Sequence, residues 1–422
     1  MTNIAKFEVP LNWSPSFLEF ILDNKQYIST VFGSIVGEPG GRPIPHSVRL
    51  TDQYRPDEQK LREYVSKLNS AGITFNLAMN ASCHGNKLLS DGGKAWLKNQ
   101  VDLLLALNIE WVTVSNFDLA RRISTYAPEI KILLSVMFNI TSIDAVAYAI
   151  KQDFNFSGMI IGKGICKQTV RLRRLLRYLD RQNLRAIVIA NDLCPTGNCP
   201  ERMSDHNNSC AHFHTNPSDY VSPSIHCRRM AMNDPAHFLQ ASIVNPNDIP
   251  FYEELGVRHF KLTDRVMPDE TLIQVCRAYF AREYEGNLFD LFTYTSYLGE
   301  EPPKAGMRLL TDKQLAEIYL GGYIALKANR PYFVCQPFAD ARVLSAPGGF
   351  FKYFADGRCT MECGSRALDI PGCTYCEEKA AEFLRCDQEE WKAVRSNIDR
   401  YISLSRRSKA DVLLEYPGSL SR

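Results

Sequence analysis

A rhythm constrains this chain more than any other feature. Through roughly the first 285 residues, a short apolar run rich in β-branched residues is followed by a polar turn and then by an amphipathic stretch, again and again. The runs are Ser29–Val36, Ile73–Met79, Glu110–Ser115, Lys131–Val136, Ser157–Ile161, Arg185–Ala190, Leu239–Val244 and Arg258–Leu262. They are nearly continuous in apolar residues, as a parallel strand covered on both faces requires. Between them, Leu61, Tyr64, Val65 and Leu68 recur at the spacing of one helix face, as do Leu97, Val101, Leu104 and Leu105, then Leu172, Leu175, Leu176 and Leu179, then Leu272, Val275, Tyr279 and Phe280. Eight such units predict a closed (β/α)₈ barrel, a TIM-like α/β fold, over residues 1–290. The rhythm breaks after the sixth run, where a Cys-, His-, Asn- and Pro-rich insertion (192–234) stands in place of a simple helix. It stops near residue 290, so a smaller C-terminal domain is expected over 291–422, with a helix around Gln388–Leu404.

Composition narrows the function classes. Hydrophobic residues at 45% and charged residues at 23% suit a soluble enzyme, and a formal net charge of +2 offers little for general phosphate neutralisation. The cluster Arg171, Arg173, Arg174 and Arg177 reads as the solvated face of a helix. The first residues lack the apolar core of a secretory signal and no run is long enough to span a bilayer, so a cytoplasmic chain without membrane insertion is expected. In that reducing compartment 13 cysteines, tightly clustered, point to metal ligands rather than disulfides.

The first cluster, Cys194, Cys199, Cys210 and Cys227, is spaced C-x4-C-x10-C-x16-C directly after an apolar run. Four soft thiolates in one insertion suit an iron–sulfur cluster or zinc. The absence of the C-x2-C step usual in zinc ribbons, and the position at a barrel strand end, favour iron–sulfur. The second cluster, Cys359, Cys363, Cys373 and Cys376, is spaced C-x3-C-x9-C-x2-C, with Gly364 and Gly372 beside it for tight turns. Either a second iron–sulfur cluster or a structural zinc fits that pattern. Cys276 falls on the apolar side of the last barrel helix and reads as packing.

The order Asp192, Cys194, Cys199-Pro200-Glu201-Arg202, Cys210 and Cys227, followed by Gly256, Val257, Phe260, Lys261, Leu262 and Arg265, resembles the so-called peptidase U32 family, over most of residues 30–285. The resemblance implies a barrel carrying a four-cysteine 4Fe–4S cluster. It also implies oxygen-independent hydroxylation, which members perform on tRNA, ribosomal RNA or the ubiquinone ring, with prephenate implicated as oxygen donor.

Around the expected mouth, Lys261 and Arg265 suit an anionic substrate, or else an ion pair with Glu38 or Asp192. Glu38, Asn80, Asn116 and Asn245 are candidate substrate contacts at strand ends, although Asn also serves such turns for backbone reasons. Asp192 and His206 are the candidate proton carriers; His206 is one of four histidines in the insertion, with His212, His214 and His226, in a chain with only 8. Cys83 and His84 face the same end. No Ser/His/Asp signature, H-E-x-x-H or phosphate loop occurs. The expectation is an iron–sulfur enzyme, hydroxylating or otherwise modifying a small aromatic or peptide-derived substrate, with a protein partner or electron donor left open. The alternatives are an RNA-modifying enzyme on the same scaffold and a non-catalytic, metal-stabilised partner subunit.

Overall fold

The computed structural model describes residues 4–34, 57–84, 87–152, 154–193, 206, 224–263, 267–292, 309–322, 325–326, 329–364 and 369–417. Eight parallel strands close into a barrel in sequence order: β1 (Lys6–Pro10), β2 (Ile28–Gly33), β3 (Thr74–Met79), β4 (Trp111–Val114), β5 (Lys131–Leu134), β6 (Gly158–Ile160), β7 (Arg185–Ile189) and β8 (His259–Lys261). Closure comes from β1 against β8, with Glu8 opposite Lys261.

The period-two alternation of a strand divides the residues into two apolar sets. Phe7, Val9, Val31, Phe75, Leu77, Val112, Ile132, Met159, Val188 and Phe260 point outward and join one large buried cluster with the helices. Leu133, Ile160, Ile187 and Ile189 point inward and form a separate small cluster with Trp111 and Val136. Burying one such side chain contributes about 1.5–3 kcal/mol, so the outer layer carries most of the stability. The helical faces read from spacing are buried as expected at Leu61, Tyr64, Val65, Leu68, Leu172, Leu175, Leu176 and Leu179, whereas Leu105 is exposed. Arg171, Arg173, Arg174 and Arg177 are likewise exposed.

One strand of the barrel differs from expectation. Leu239–Val244 is not a strand: Leu239 and Gln240 end a short helix (Ala236–Gln240), and Ile243 makes a single antiparallel bridge to Asn191. A six-residue apolar run does not by periodicity alone distinguish a strand from a buried turn. The eighth strand is instead β1, whose sequence KFEVP is short, carries two charged residues among its five and ends in Pro. The insertion therefore follows the seventh strand, not the sixth.

Beyond residue 290 the chain packs back onto the barrel. A helix at Gln388–Ser405 lies against Ser224–Asn233, where Trp391 Nε1 donates to Met232 O at 2.6 Å and Arg229 pairs with Asp399 at 2.7 Å. The large apolar cluster runs through Phe289, Leu315, Phe333, Val394 and Tyr401 without a break from the barrel. Among the described residues no helix is long and apolar enough to cross a membrane.

Candidate active site

The strand alternation that turns Ile187 and Ile189 inward also turns Arg185, on the same strand, into the lumen. Residues Glu8, Thr30, Thr74, Asn76, Thr113, His259 and Lys261 share that side of their strands, so one half of the lumen is polar. Glu8 is fully buried and stands between two cations, with Oε2 3.4 Å from Lys261 Nζ and Oε1 3.2 Å from Arg185. Arg185 also donates to Ser29 Oγ at 2.9 Å, Thr30 Oγ1 at 3.1 Å and His259 Nδ1 at 3.1 Å, and its guanidinium lies 5.2 Å from the Trp111 ring centroid. Gly158 makes room beside it: a Cβ there would stand 2.4 Å from the Arg185 carbonyl oxygen. Lys261 Nζ sits 3.1 Å from the Phe32 ring centroid. Asn76 and Thr113 bond reciprocally at 2.9 and 3.1 Å.

Burial lowers the Arg185 pKa, with Glu8 opposing. Burial, and then the neighbouring guanidinium, push His259 down to about 3. The ring is neutral, and because a guanidinium only donates, Nδ1 is the acceptor and the proton sits on Nε2. Ions taken out of water cost several kcal/mol each, and Glu8 offsets that cost for both cations.

Lys261 is the last residue of β8, so this column leads to the carboxyl end of the barrel, where active sites of the fold lie. There Asp192, three residues after the end of β7, pairs with Lys163, which follows β6, and both are largely buried. Asn191 Oδ1 accepts from Thr263 N at 2.6 Å and ties the ends of β7 and β8 together. Asn80 follows β3 and is half-buried, and Cys83 and His84 lie just beyond it. Burial, then Lys87, push His84 down to about 4. His206, from the insertion, meets Ser82 across 124 residues of sequence, with Nδ1 3.0 Å from Oγ.

The other sequence candidates have different surroundings. Asn116 caps the helix Phe117–Tyr126, accepting from Asp118 N at 2.8 Å and Leu119 N at 3.2 Å. Asn245, no longer at a strand end, is buried and donates to Ala341 O at 2.7 Å and Ser345 Oγ at 2.8 Å, in the seam with the C-terminal region. Lys261 pairs with Glu8, and Asp192 with Lys163, rather than with each other. Glu38, Arg265, Cys194, Cys199 and Cys210 lie outside the described residues. Of the first cysteine group only Cys227 is described, half-buried on the helix Ser224–Asn233. Glu8, Arg185, His259 and Lys163 escaped sequence reasoning; a charged residue inside an apolar strand pattern was the available signal at Glu8 and Arg185.

The second cysteine group is described in full. Cys359, Cys373 and Cys376 are half-buried, Cys363 is exposed, and none forms a disulfide. Burial raises Cys376 to about 11, with Lys167 opposing and the thiols of Cys363, Cys359 and Cys373 adding to the rise. Cys373 Sγ lies 3.3 Å from Tyr353 Oη. Among the described residues no group of three or more His, Cys, Asp or Glu side chains is arranged to hold a metal ion. A cavity of about 30 Å³, room for a water molecule, lies in the seam lined by Lys167, Asn245, Asp248, Phe289, Phe350 and Phe354.

No family model matches the chain, and no curated protein matches it in sequence. Among solved structures it is similar to the U32 peptidase Mk0906, at 14% identity and a TM-score of 0.43, with 62% of this chain and 94% of that chain covered. It is also similar to the noncanonic maltogenic α-amylase AmyB from Thermotoga neapolitana, at 9% identity and a TM-score of 0.32 over 67% of this chain and 77% of that one. A third likeness is to an α-amylase from Lactobacillus plantarum, at 11% identity and a TM-score of 0.28 over 46% and 63%. Values this low carry no chemistry from one chain to another.

Proposed function

We propose that the chain is an enzyme that acts on a small anionic substrate at the carboxyl end of its barrel, under an insertion that holds an iron–sulfur cluster. The observation that supports this reading is the contact between Ser82 and His206. Ser82 follows β3 and His206 belongs to the segment after β7, and these strands stand four apart in a closed order of eight. His206 therefore stands on the far side of the mouth from β7, the strand it follows in the chain. Cys199 and Cys210 lie seven and four residues from His206 along the chain. The donor set, four cysteines in one insertion, fits a soft metal centre.

Cys194, Cys199, Cys210 and Cys227 would hold the cluster, which when bound supplies redox or Lewis-acid chemistry. The chain's own residues bind and move protons. The Lys261 ammonium, fixed from below by Glu8, orients a carboxylate at the end of β8. Asp192, paired with Lys163, accepts a proton at a carboxylate oxygen, while His206 exchanges one at its imidazole. The reaction class proposed is oxygen-independent hydroxylation, or a related modification, of a small aromatic or peptide-derived molecule.

Anaerobically purified protein should contain iron and acid-labile sulfide in about equal amounts, near four of each per chain. Replacement of Cys194, Cys199, Cys210 and Cys227 by Ser should abolish both. Prephenate should perturb the paramagnetic resonance spectrum of the reduced protein, and Lys261→Met should remove that perturbation while iron content stays. Protein that holds no iron after anaerobic reconstitution overturns the reading. The same Ser82–His206 pair would serve a hydrolytic enzyme, and covalent labelling of Ser82 by a fluorophosphonate would favour that alternative.

A further inference from the structure

The chemistry at the mouth makes no use of the second cysteine group. A parallel bridge between Cys363 and Cys373 pinches two turns together, with Cys359 shortly before the first turn and Cys376 in the first turn of the helix Tyr375–Phe383. Gly364 N donates to Cys373 O at 2.9 Å, and Cys373 N donates to Glu362 O at 2.8 Å. Two glycines stand back to back in the pinch. A Cβ on Gly364 would meet Gly372 N at 2.7 Å; one on Gly372, whose φ is +140°, would meet Glu362 O at 2.6 Å and Gly364 N at 2.7 Å. Only glycine lets the turns approach so closely. Bridged backbones run about 4.8 Å apart. Tetrahedral thiolates about 2.3 Å from a zinc ion place their sulfurs roughly 3.8 Å from one another. Residues bridged this closely can turn their thiols toward one ion by side-chain rotation alone.

The barrel reaches into the same place. In the turn after β6, Gln168 Nε2 donates to Thr360 O at 2.9 Å and Thr169 Oγ1 donates to Phe354 O at 2.7 Å. The preceding residue, Lys167, is buried, donates to Leu239 O and faces the rings of Phe354 and Phe350, 5.2 and 5.6 Å from their centroids. Burial lowers the Lys167 pKa, and the thiols of Cys376, Cys359 and Cys363 oppose that shift. Around the turns, Tyr353 and Tyr375 stack at 4.0 Å and Phe350 stacks on Tyr375 at 5.5 Å.

We propose that Cys359, Cys363, Cys373 and Cys376 bind a single zinc ion, and that Lys167 is the counter-charge by which the barrel docks that site. Four thiolates around a divalent ion carry a net charge of −2, and a buried ammonium beside them offsets half of it. In the arrangement described the thiols are not closed on one point, and Cys373 is turned to Tyr353. Binding rotates the cysteine side chains about Cα–Cβ, and each thiol releases its proton to solvent as its sulfur bonds to zinc.

Elemental analysis of the full chain tests the site. One zinc per chain is expected. It should persist when Cys194, Cys199, Cys210 and Cys227 are all Ser, and vanish when Cys359, Cys363, Cys373 and Cys376 are all Ser, with iron following the opposite pattern. Should the second quadruple variant not fold, cobalt reconstitution of the unaltered chain should give the intense visible bands of a tetrathiolate centre, and Cys363→Ser should shift them. Absence of zinc, iron in its place, or zinc retained in the second quadruple variant overturns the site, whatever the outcome at the mouth. Lys167→Met should speed zinc loss to a chelator about tenfold, the low end of what outer-shell partners are worth, with unchanged circular dichroism and rescue by Lys167→Arg. An unchanged release rate overturns the role of Lys167.

Discussion

The polar half of the lumen and the C-terminal cysteine turns both gather polar groups at one place, and they do it in opposite ways. In the lumen, Glu8, Arg185, His259 and Lys261 come from three strands, with up to 253 residues between partners, and barrel closure alone brings them together. The anion there faces two cations from its own chain, so its charge is met within the chain and one positive charge is left over. In the turns, all four donors fall between residues 359 and 376, and local backbone geometry gathers them. Those donors are alike in charge once ionised and require an outside cation. The lumen depends on topology, and the turns depend on a ligand. Lesions in the first should therefore unfold the whole molecule, and lesions in the second should stay local.

The largest effect should come from the centre of the lumen. Glu8→Gln removes the carboxylate and leaves Arg185 and Lys261 buried with no counter-charge from that strand. Breaking a buried ion pair from one side costs about 3–5 kcal/mol. Urea unfolding followed by both fluorescence and circular dichroism should show one transition shifted by that amount. A loss under about 1 kcal/mol would mean that the lumen admits water and is no more complete than the turns.

Acidity separates the regions next. The folded pKa of His259 is about 3, below its ordinary 6.5, so between those values the unfolded chain binds the extra proton and stability falls as pH drops. His84, at about 4, acts in the same sense. Asp248, in the seam beside the C-terminal region, is raised to about 7 from 3.8 by burial, with a bond to Ser345 opposing. There the folded chain holds the extra proton, so its contribution is lost as pH rises from about 4 to 7. Each proton changes the slope by at most about 1.4 kcal/mol per pH unit. Unfolding free energies measured from pH 4.5 to 6.5 should rise less steeply in His259→Gln and more steeply in Asp248→Asn. Slopes moving together in the two variants would contradict the opposed assignments.

These two regions also differ in how much the sequence disclosed. The barrel was legible because β/α alternation repeats, and the count of eight survived although Leu239–Val244 was taken for a strand and Lys6–Pro10 was not. With β1 unseen, Glu8 was invisible as the partner of Lys261, and Glu38 or Asp192 stood in for it. No local pattern announces a carboxylate whose cations lie 177 and 253 positions away. Asn116 and Asn245 show a related ambiguity: the amide that suits a substrate equally suits a helix N-terminus or a seam, and only neighbours decide. The second cysteine group was fully legible in spacing and in its flanking glycines, because its chemistry is local. What the spacing lacked was Lys167, which reaches it from the barrel.

The smallest effect tests whether the turns are as local as the comparison requires. Gly372 holds φ at +140°, a region in which a side chain costs on the order of 1–3 kcal/mol, and a Cβ there would press on Glu362 O and Gly364 N. Backbone cannot swing aside as a flexible side chain does, so Gly372→Ala must open the Cys363–Cys373 bridge. Opening it frees the turns without touching the strands, since the contacts of the barrel with this segment pass through Gln168 and Thr169 rather than through the bridge. Hydrogen exchange at Gly364 N and Cys373 N should accelerate, and zinc should be held more weakly, while the urea midpoint of the barrel moves by less than about 0.5 kcal/mol. A barrel midpoint that falls by the full cost would mean that the two regions unfold as one unit, and that the turns support the fold as deeply as the lumen does.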